Sequence, residues 1–203
     1  YRFLVTQGTN LLMYDGKGKR VKGFEYKTGY KINNTPKHFR HRSRDYIVFS
    51  EGQNLKILDR RGKIRIDVKG TLNFSDQNLY FYKNQFSTID VNGYFVQVDT
   101  KGRLSLQSLG FDPGTQITAS SKTLVAQWSN ILQIKAQKAT LDYGNFSPPK
   151  LFYLNDKIYI SITDLQSNKV WFYDSDGKVL PGFPVYAASS VDLANVDGDA
   201  ALE

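Results

Sequence analysis

Oxygen-bearing side chains recur at alternate positions near the end of the sequence. Asn195, Asp197 and Asp199 occupy the first, third and fifth places of a loop, and Glu203 occupies the ninth. Ca²⁺ binds six to eight oxygen ligands, and alternate residues of a tight loop point to the same side. The pattern predicts a Ca²⁺ site. The interpretation that we favour is that Asp197-Gly198 is a simple hairpin turn.

The densest positive cluster runs from residue 37 to residue 44 and holds both histidines. Its cations, Lys37, Arg40, Arg42 and Arg44, are candidate ligands of an anion or a phosphate backbone. We favour a solvated strand and loop, because no aromatic residues are interleaved at a spacing that would stack bases. Nucleic acid is therefore not an expected partner. Without a nearby carboxylate or cysteine, the histidine pair does not predict zinc.

Few residues have the types and spacing that catalysis requires. Glycoside hydrolysis needs two carboxylates about 5 to 10 Å apart, and Asp192 is the only acid in the predicted first strands of the repeats. These strands are Lys37–Arg40, Gln116–Ala119, Lys150–Tyr153 and Val191–Ala194. No glycine-rich phosphate loop, G-x-S-x-G elbow, Ser-His-Asp set or cysteine is present. We predict a protein that is not an enzyme and needs no cofactor other than Ca²⁺; a glycan-active enzyme is the alternative.

A five-fold repeat organises the chain around these residues. An Asp-x-x-Gly turn followed by Lys or Arg closes a strand at Asp15, Asp59, Asp99 and Asp174, and an eroded copy lies at residues 130 to 138. The copies are 44, 40, 36 and 39 residues apart, which is the period of a propeller blade. In such a turn Asp accepts hydrogen bonds from nearby backbone amides, and Gly adopts the positive φ that closes the hairpin.

Each repeat is predicted to hold about four short strands and almost no helix. The fold expected is all-β, a single five-bladed β-propeller over residues 1–203 with four-stranded blades. The first repeat, whose outer strand is predicted at Val21–Phe24, lacks a first strand, and Val191–Ala194 looks like a first strand without a blade. The C-terminal strand is therefore expected to close the ring against the N-terminal blade. The alternative to closure within this chain is that the chain is part of a larger propeller in a longer protein.

Composition is typical of a globular protein. Apolar residues make up 40% and charged residues 23% of the 203, and the net charge is +8. No apolar run approaches the roughly 20 residues of a membrane helix, so no membrane span is expected. We interpret the cations as spread over turns and strand edges, where they block edge pairing; a polyanion-binding surface is the alternative. Four aromatic residues within apolar runs are assigned to packing, namely Tyr14, Phe49, Trp128 and Trp171.

The last repeat resembles a known class of repeats. Residues 170–185, then Val191-Asp-Leu-Ala-Asn-Val-Asp-Gly-Asp199 and Leu202-Glu203, resemble the FG-GAP and VCBS repeats of secreted and surface proteins. The other repeats resemble WD-repeat and quinoprotein-like propellers. The resemblance implies a binding module with a protein or carbohydrate partner, located in the periplasm, at the cell surface or outside the cell. Ala200 stands where calcium-binding FG-GAP repeats usually have glycine, and Glu203 where they have aspartate.

Overall fold

A computed structural model describes residues 2–154 and 156–194 of the chain. The predicted calcium ligands Asn195, Asp197, Asp199 and Glu203 lie outside the described residues. The described residues form nineteen β-strands and no α-helix, which confirms the all-β prediction.

The strands form five antiparallel sheets in chain order, which is the predicted number. Sheet 1 has three strands and sheets 2 to 5 have four each. Their bounds are β1 (Arg2–Gln7), β2 (Asn10–Asp15) and β3 (Tyr26–Lys27) in sheet 1; β4 (Lys37–His41), β5 (Arg44–Glu51), β6 (Asn54–Leu58) and β7 (Ile64–Ile66) in sheet 2; β8 (Tyr80–Tyr82), β9 (Gln85–Ile89), β10 (Phe95–Val98) and β11 (Leu104–Gln107) in sheet 3; β12 (Gln116–Ala119), β13 (Leu124–Trp128), β14 (Ile131–Ile134) and β15 (Gln137–Thr140) in sheet 4; and β16 (Lys150–Leu154), β17 (Lys157–Asp164), β18 (Lys169–Asp174) and β19 (Val185–Tyr186) in sheet 5.

The chain divides into two compact units, Tyr1–Pro113 with sheets 1 to 3 and Gly114–Glu203 with sheets 4 and 5. In the first unit, Ile47 and Phe49 of β5 pack with the residues of sheet 1, whereas Tyr46 and Val48 pack with those of sheet 3. Successive side chains of a strand point to opposite faces. A strand buried on both faces therefore has a continuous apolar run, as seen at residues 46–49.

In the second unit, the sheets pack through their central strands. Val125 and Leu132 of sheet 4 share one buried cluster with Ile160 and Ile162 of sheet 5. Central strands supply the core in both units, while the outer strands β7, β11 and β15 are largely exposed.

The repeated turns have the predicted geometry. In the turn at Asp59, Oδ1 accepts hydrogen bonds from the backbone N–H groups of Arg61 at 2.8 Å and Lys63 at 3.0 Å. Gly62 has φ 81°. The same pair of bonds forms at Asp15, Asp99 and Asp174. The predicted hydrogen bonds of the Asp-x-x-Gly turn are therefore confirmed.

A further copy of this turn was missed in the sequence. Asp90 Oδ1 accepts from Asn92 N at 2.9 Å and Tyr94 N at 2.8 Å, and Gly93 has φ 86°. The copy joins the second and third strands of its sheet rather than the third and fourth, and Tyr94 stands where the other copies have Lys or Arg. The eroded repeat has instead a shorter hairpin, in which Ile134 pairs directly with Gln137.

One outer-strand boundary differs from the prediction. Val21–Phe24 is not a strand: Gly23 at φ 81° turns the chain, Phe24 enters the core at 2% exposure, and β3 begins only at Tyr26. Sheet 5 shows the same interruption, with Gly182 at φ 85° followed by Phe183 and then β19. In both places a phenylalanine turns the chain inward. Phe24 is buried, and Phe183 is half-buried with its ring 4.9 Å from that of Phe172.

Among the described residues, sheet 1 has no first strand, so β1 occupies the position of the second strand of the other sheets. The corresponding strands β5, β9, β13 and β17 are mostly buried, but β1 is almost wholly exposed. Phe3 is 57% and Val5 is 42% exposed. Val191–Ala194, predicted as a first strand, has no strand assignment.

Candidate functional site

The order of strands sorts the turns of each sheet into two groups. In an antiparallel sheet whose neighbours are consecutive in the chain, the first-to-second and third-to-fourth connections lie at one end, and the second-to-third connection lies at the other. In unit 1 the first group comprises residues 15–20, 41–45, 59–63, 82–85 and 99–103. We call these turns the basic edge.

Contacts between the sheets of unit 1 bring the turns of the basic edge close together. The ring of His41, at the end of β4, lies 5.0 Å from that of Phe81 in β8, so the hairpins that follow these two strands are neighbours. Arg61 O accepts a hydrogen bond from Glu25 N at 3.4 Å, which places the 59–63 turn against sheet 1. The basic edge is therefore a surface shared by neighbouring sheets.

The turns at the two ends differ in charge. The basic edge carries eleven Lys and Arg residues against four Asp residues. The second-to-third connections of unit 1, residues 7–10, 51–54 and 89–95, have no Lys or Arg and two acids. These acids, Glu51 and Asp90, are 4% and 5% exposed. The basic turns therefore lie at one end, while other cations of unit 1, such as Lys31 and Lys56, lie near the other end.

The carboxylates of the basic edge serve mainly to build its turns. Burial opposes ionisation of Asp59, but the amides of Arg61 and Lys63 and the nearby arginines outweigh it and lower the pKa of Asp59. The pKa of Asp99 is lowered in the same way against burial, with a further contact from Arg103 Nε at 2.7 Å. These groups stay ionised at neutral pH, and the edge still has a large excess of positive charge.

The four predicted anion ligands fall at different places on this surface. Arg42 and Arg44 flank the β4–β5 turn, are exposed, and have no ion-pair partner among the described residues. Arg40 Nη1 lies 3.4 Å from Asp45 Oδ1. Lys37 begins β4 and so lies roughly 13 Å from the turn, at about 3.3 Å per residue. Only Arg42 and Arg44 belong to the basic edge.

The histidines are not as isolated as the sequence suggested. His38 Nε2 lies 3.0 Å from Asp45 Oδ1, so a carboxylate does lie beside the pair. His41 is on the other face of β4, where it contacts Phe81. Within residues 2–154 and 156–194 no three His, Asp or Glu side chains are grouped to hold a metal ion.

A cavity of about 620 Å³ opens beside sheet 1. Arg20, Lys27 and Lys63 supply positive charge to its lining, and Glu25 supplies the one carboxylate. The remaining lining residues are two amides, an aliphatic side chain and an aromatic ring, namely Gln7, Asn10, Leu12 and Tyr26. The pKa of Tyr26 is raised, mainly by burial and to a smaller extent by the negative charge of Glu51 and a hydrogen bond to Glu51. The Tyr26 hydroxyl is thus engaged with Glu51, which also lies 3.4 Å from Lys56.

The first strands contain no pair of carboxylates. β4, β8, β12 and β16 have no Asp or Glu at all. Asp192 lies 2.9 Å from Lys150 Nζ, which also donates to Val191 O at 3.2 Å. Of the four aromatic residues assigned to packing, Phe49 and Trp128 are buried and Tyr14 and Trp171 are half-buried. The geometry provides charge for binding, and these strands provide no acid–base pair.

Unit 2 is much less basic at its corresponding turns. Its turns at residues 120–123, 135–138, 154–157 and 174–178 have five Lys and three Asp, and Lys135 Nζ pairs with Asp176 Oδ1 at 3.1 Å. The positive charge is thus a feature of unit 1 and not of the repeat as such.

Comparison with known proteins adds no family assignment. No protein-family model matches the chain, and no curated protein matches it. Among the described residues, no helix has the length and apolar character needed to cross a membrane.

Proposed function

We propose that this chain is a non-catalytic binding module whose basic edge contacts an acidic carbohydrate. The observation that carries the proposal is the concentration of eleven Lys and Arg residues in the turns at one end of the unit 1 sheets. Such a concentration attracts a polyanion through long-range electrostatics and the release of counterions.

The aromatic residues near this edge favour carbohydrate over single-stranded nucleic acid. The ring of Tyr82 packs edge-on against Phe95 and is covered by Lys83. Tyr46 is buried, with Arg65 over its ring. Base stacking requires open aromatic faces, and these two rings do not offer them. A ligand recognised through its charges and hydroxyl groups fits better.

Catalysis is the less supported alternative. A glycan-active enzyme needs two convergent carboxylates, and β4, β8, β12 and β16 offer none. A location outside the cytoplasm, which the FG-GAP-like segment implies, is part of the proposal, since acidic polysaccharides are abundant there.

We further infer that the five sheets are the blades of a propeller closed by a strand that includes Val191–Ala194. Three observations support this inference: β1 has a free edge, exposure alternates along residues 191–194, and Val191 lies beside Lys150 at the start of the first strand β16. Because the chain has no cysteine, paired substitutions such as Val5→Cys with Leu193→Cys test it cleanly. Closure predicts an intramolecular disulfide in one such register; a failure of all registers from residue 3 to residue 7 would favour an open or larger ring.

The binding proposal is tested by retention on immobilised heparin and by titration with polygalacturonate, each at several salt concentrations. We expect salt-sensitive binding that falls about tenfold or more in Arg42→Gln/Arg44→Gln, because each lost charged contact weakens binding by about three- to tenfold. The matched control is Lys31→Gln/Lys169→Gln. It removes two lysines that lie outside the first-to-second and third-to-fourth turns. Absence of retention, or equal losses in both double variants, would refute the proposal.

A further inference from the structure

The cavity beside sheet 1 exists because the outer strand of that sheet is interrupted. Arg20 still bridges to Tyr14, but the next pairing is at Tyr26, opposite Leu11. Between these points the chain turns inward at Gly23 and buries Phe24. The missing length of strand leaves the space that the cavity occupies.

Sheet 5 provides an internal comparison for this feature. Val21 N bonds to Met13 O at 2.8 Å in sheet 1, and Leu180 N bonds to Phe172 O at 2.8 Å in sheet 5. The backbone therefore follows a similar path in both sheets as far as the phenylalanine. The cations, however, belong to sheet 1 alone: Val179 stands in the place of Arg20, and Tyr186 in the place of Lys27. The fold does not need positive charge at these positions.

The cavity cations have no ion-pair partners in the part of the chain that the structure describes. Arg20, Lys27 and Lys63 are exposed and have no carboxylate within 4 Å among the described residues. Glu25, on the same wall, is also without an ion pair there, so the lining carries an excess of positive charge. Unpaired cations around a concave surface favour an anionic ligand, since each can form a charge-assisted hydrogen bond with it.

The other lining groups suit a sugar. Gln7 and Asn10 face each other across the β1–β2 hairpin, and their side-chain amides make no hydrogen bond within the described part of the chain. Free amides can bind hydroxyl groups. Tyr26, whose hydroxyl is engaged by Glu51, contributes an aromatic wall together with Leu12. The volume of about 620 Å³ lies within the usual range of small-ligand sites, about 300–1,000 Å³.

We propose that this cavity binds an acidic sugar, with Arg20 and Lys63 contacting carboxylate, sulfate or phosphate groups at the basic edge and Lys27 contacting one nearer the β1–β2 hairpin. The inference rests on the proposed function, and it names the point at which a polysaccharide chain would be held on the basic edge. Arg20 and Lys63 belong to both the cavity and the basic edge, so a chain seated in the cavity would continue over neighbouring turns.

The test uses short ligands that cannot cover the whole edge. Heparin tetrasaccharide, tetragalacturonate and the neutral maltotetraose are titrated against the full chain and two matched triple variants. The cavity variant is Arg20→Gln/Lys27→Gln/Lys63→Gln; the control is Arg42→Gln/Lys83→Gln/Lys101→Gln, which removes three cations outside the cavity. A Leu12→Trp variant fills the cavity without changing its charge. Melting temperatures show which variants remain folded.

We expect the cavity variant to lose about 100-fold in affinity for an acidic tetrasaccharide, Leu12→Trp at least tenfold, and the control less than threefold. The acidic sugar that binds more tightly identifies the preferred anionic group. If long heparin binds but cavity and control variants lose equally, the cavity proposal is wrong and the binding proposal stands. If maltotetraose binds as tightly as the acidic sugars, the ligand class is wrong. If no polyanion binds at all, the proposed function itself fails.

Discussion

Replacing Gly62 by alanine tests whether the repeated turn is also a contact between sheets. Gly62 has φ 81°, and a Cβ built on it would lie 2.7 Å from Glu25 O, 3.0 Å from Glu25 C and 3.2 Å from Glu25 N. All three atoms belong to the backbone of sheet 1, so no side-chain rotation can relieve the clash. Gly18, in the same turn of sheet 1, has φ 74° and nothing within 4 Å of its Cβ position.

The two glycines separate conformational strain from crowding. A left-handed backbone costs an L-residue about 1–2 kcal/mol, and forcing extra atoms into a packed site costs about 1–3 kcal/mol more. We therefore expect Gly18→Ala to reduce the free energy of unfolding by about 1–2 kcal/mol and Gly62→Ala by about 2–5 kcal/mol. The difference measures the approach of sheet 2 to sheet 1.

Urea unfolding followed by far-ultraviolet circular dichroism gives the free energies of unfolding, provided that the free energy falls with urea concentration at the same slope in all variants. Equal losses for Gly18→Ala and Gly62→Ala would refute the reasoning. Equal losses would mean that Gly62, like Gly18, is needed only for its φ angle.

Two further predictions concern protons and calcium. Because amide donors and neighbouring cations outweigh burial and lower the pKa of Asp59 and Asp99 below the usual 3.8, their stabilisation should be complete above about pH 4 and lost as pH falls through the lowered values. The melting temperature of Asp59→Asn should therefore depend less on pH below 4, and parallel curves would contradict this. If residues 195–203 bind Ca²⁺, titration should give measurable heat and raise the melting temperature, and Asp197→Asn/Asp199→Asn should abolish both; no heat and an unchanged melting temperature would support a hairpin turn instead.

Local interactions explain which parts of the fold were predictable. The turn at Asp59 closes through hydrogen bonds to residues two and four positions later, so its signature lies within five residues of sequence. Turns of this kind, with apolar runs between them, gave the sheet count and most strand positions. The broken outer strand at Val21–Phe24 was missed because burial of Phe24 overrides a strand-like local sequence.

The candidate site was less predictable because it depends on distant residues. The cluster at residues 37–44 is dense in sequence, yet Lys37 lies far from Arg42 along an extended strand. Arg20 and Lys63 are 43 positions apart and line one cavity. Asp45 was overlooked as a partner of His38, although the β4–β5 hairpin brings the two side chains to 3.0 Å.

The all-β class and the turns could be predicted from local sequence, because both depend on hydrogen bonds and side-chain alternation within a few residues. The repeat period could be predicted because the turn signature recurs along the chain. The tertiary structure decided where the positive charge is concentrated. Consecutive turns alternate between the two ends of a sheet, so the turns that carry eleven Lys and Arg residues lie together at one end when the sheets of unit 1 pack together. The acids at the other end are buried. Glu51 lies 3.4 Å from Lys56, and Asp90 accepts hydrogen bonds from the backbone N–H groups of Asn92 and Tyr94 within its own turn.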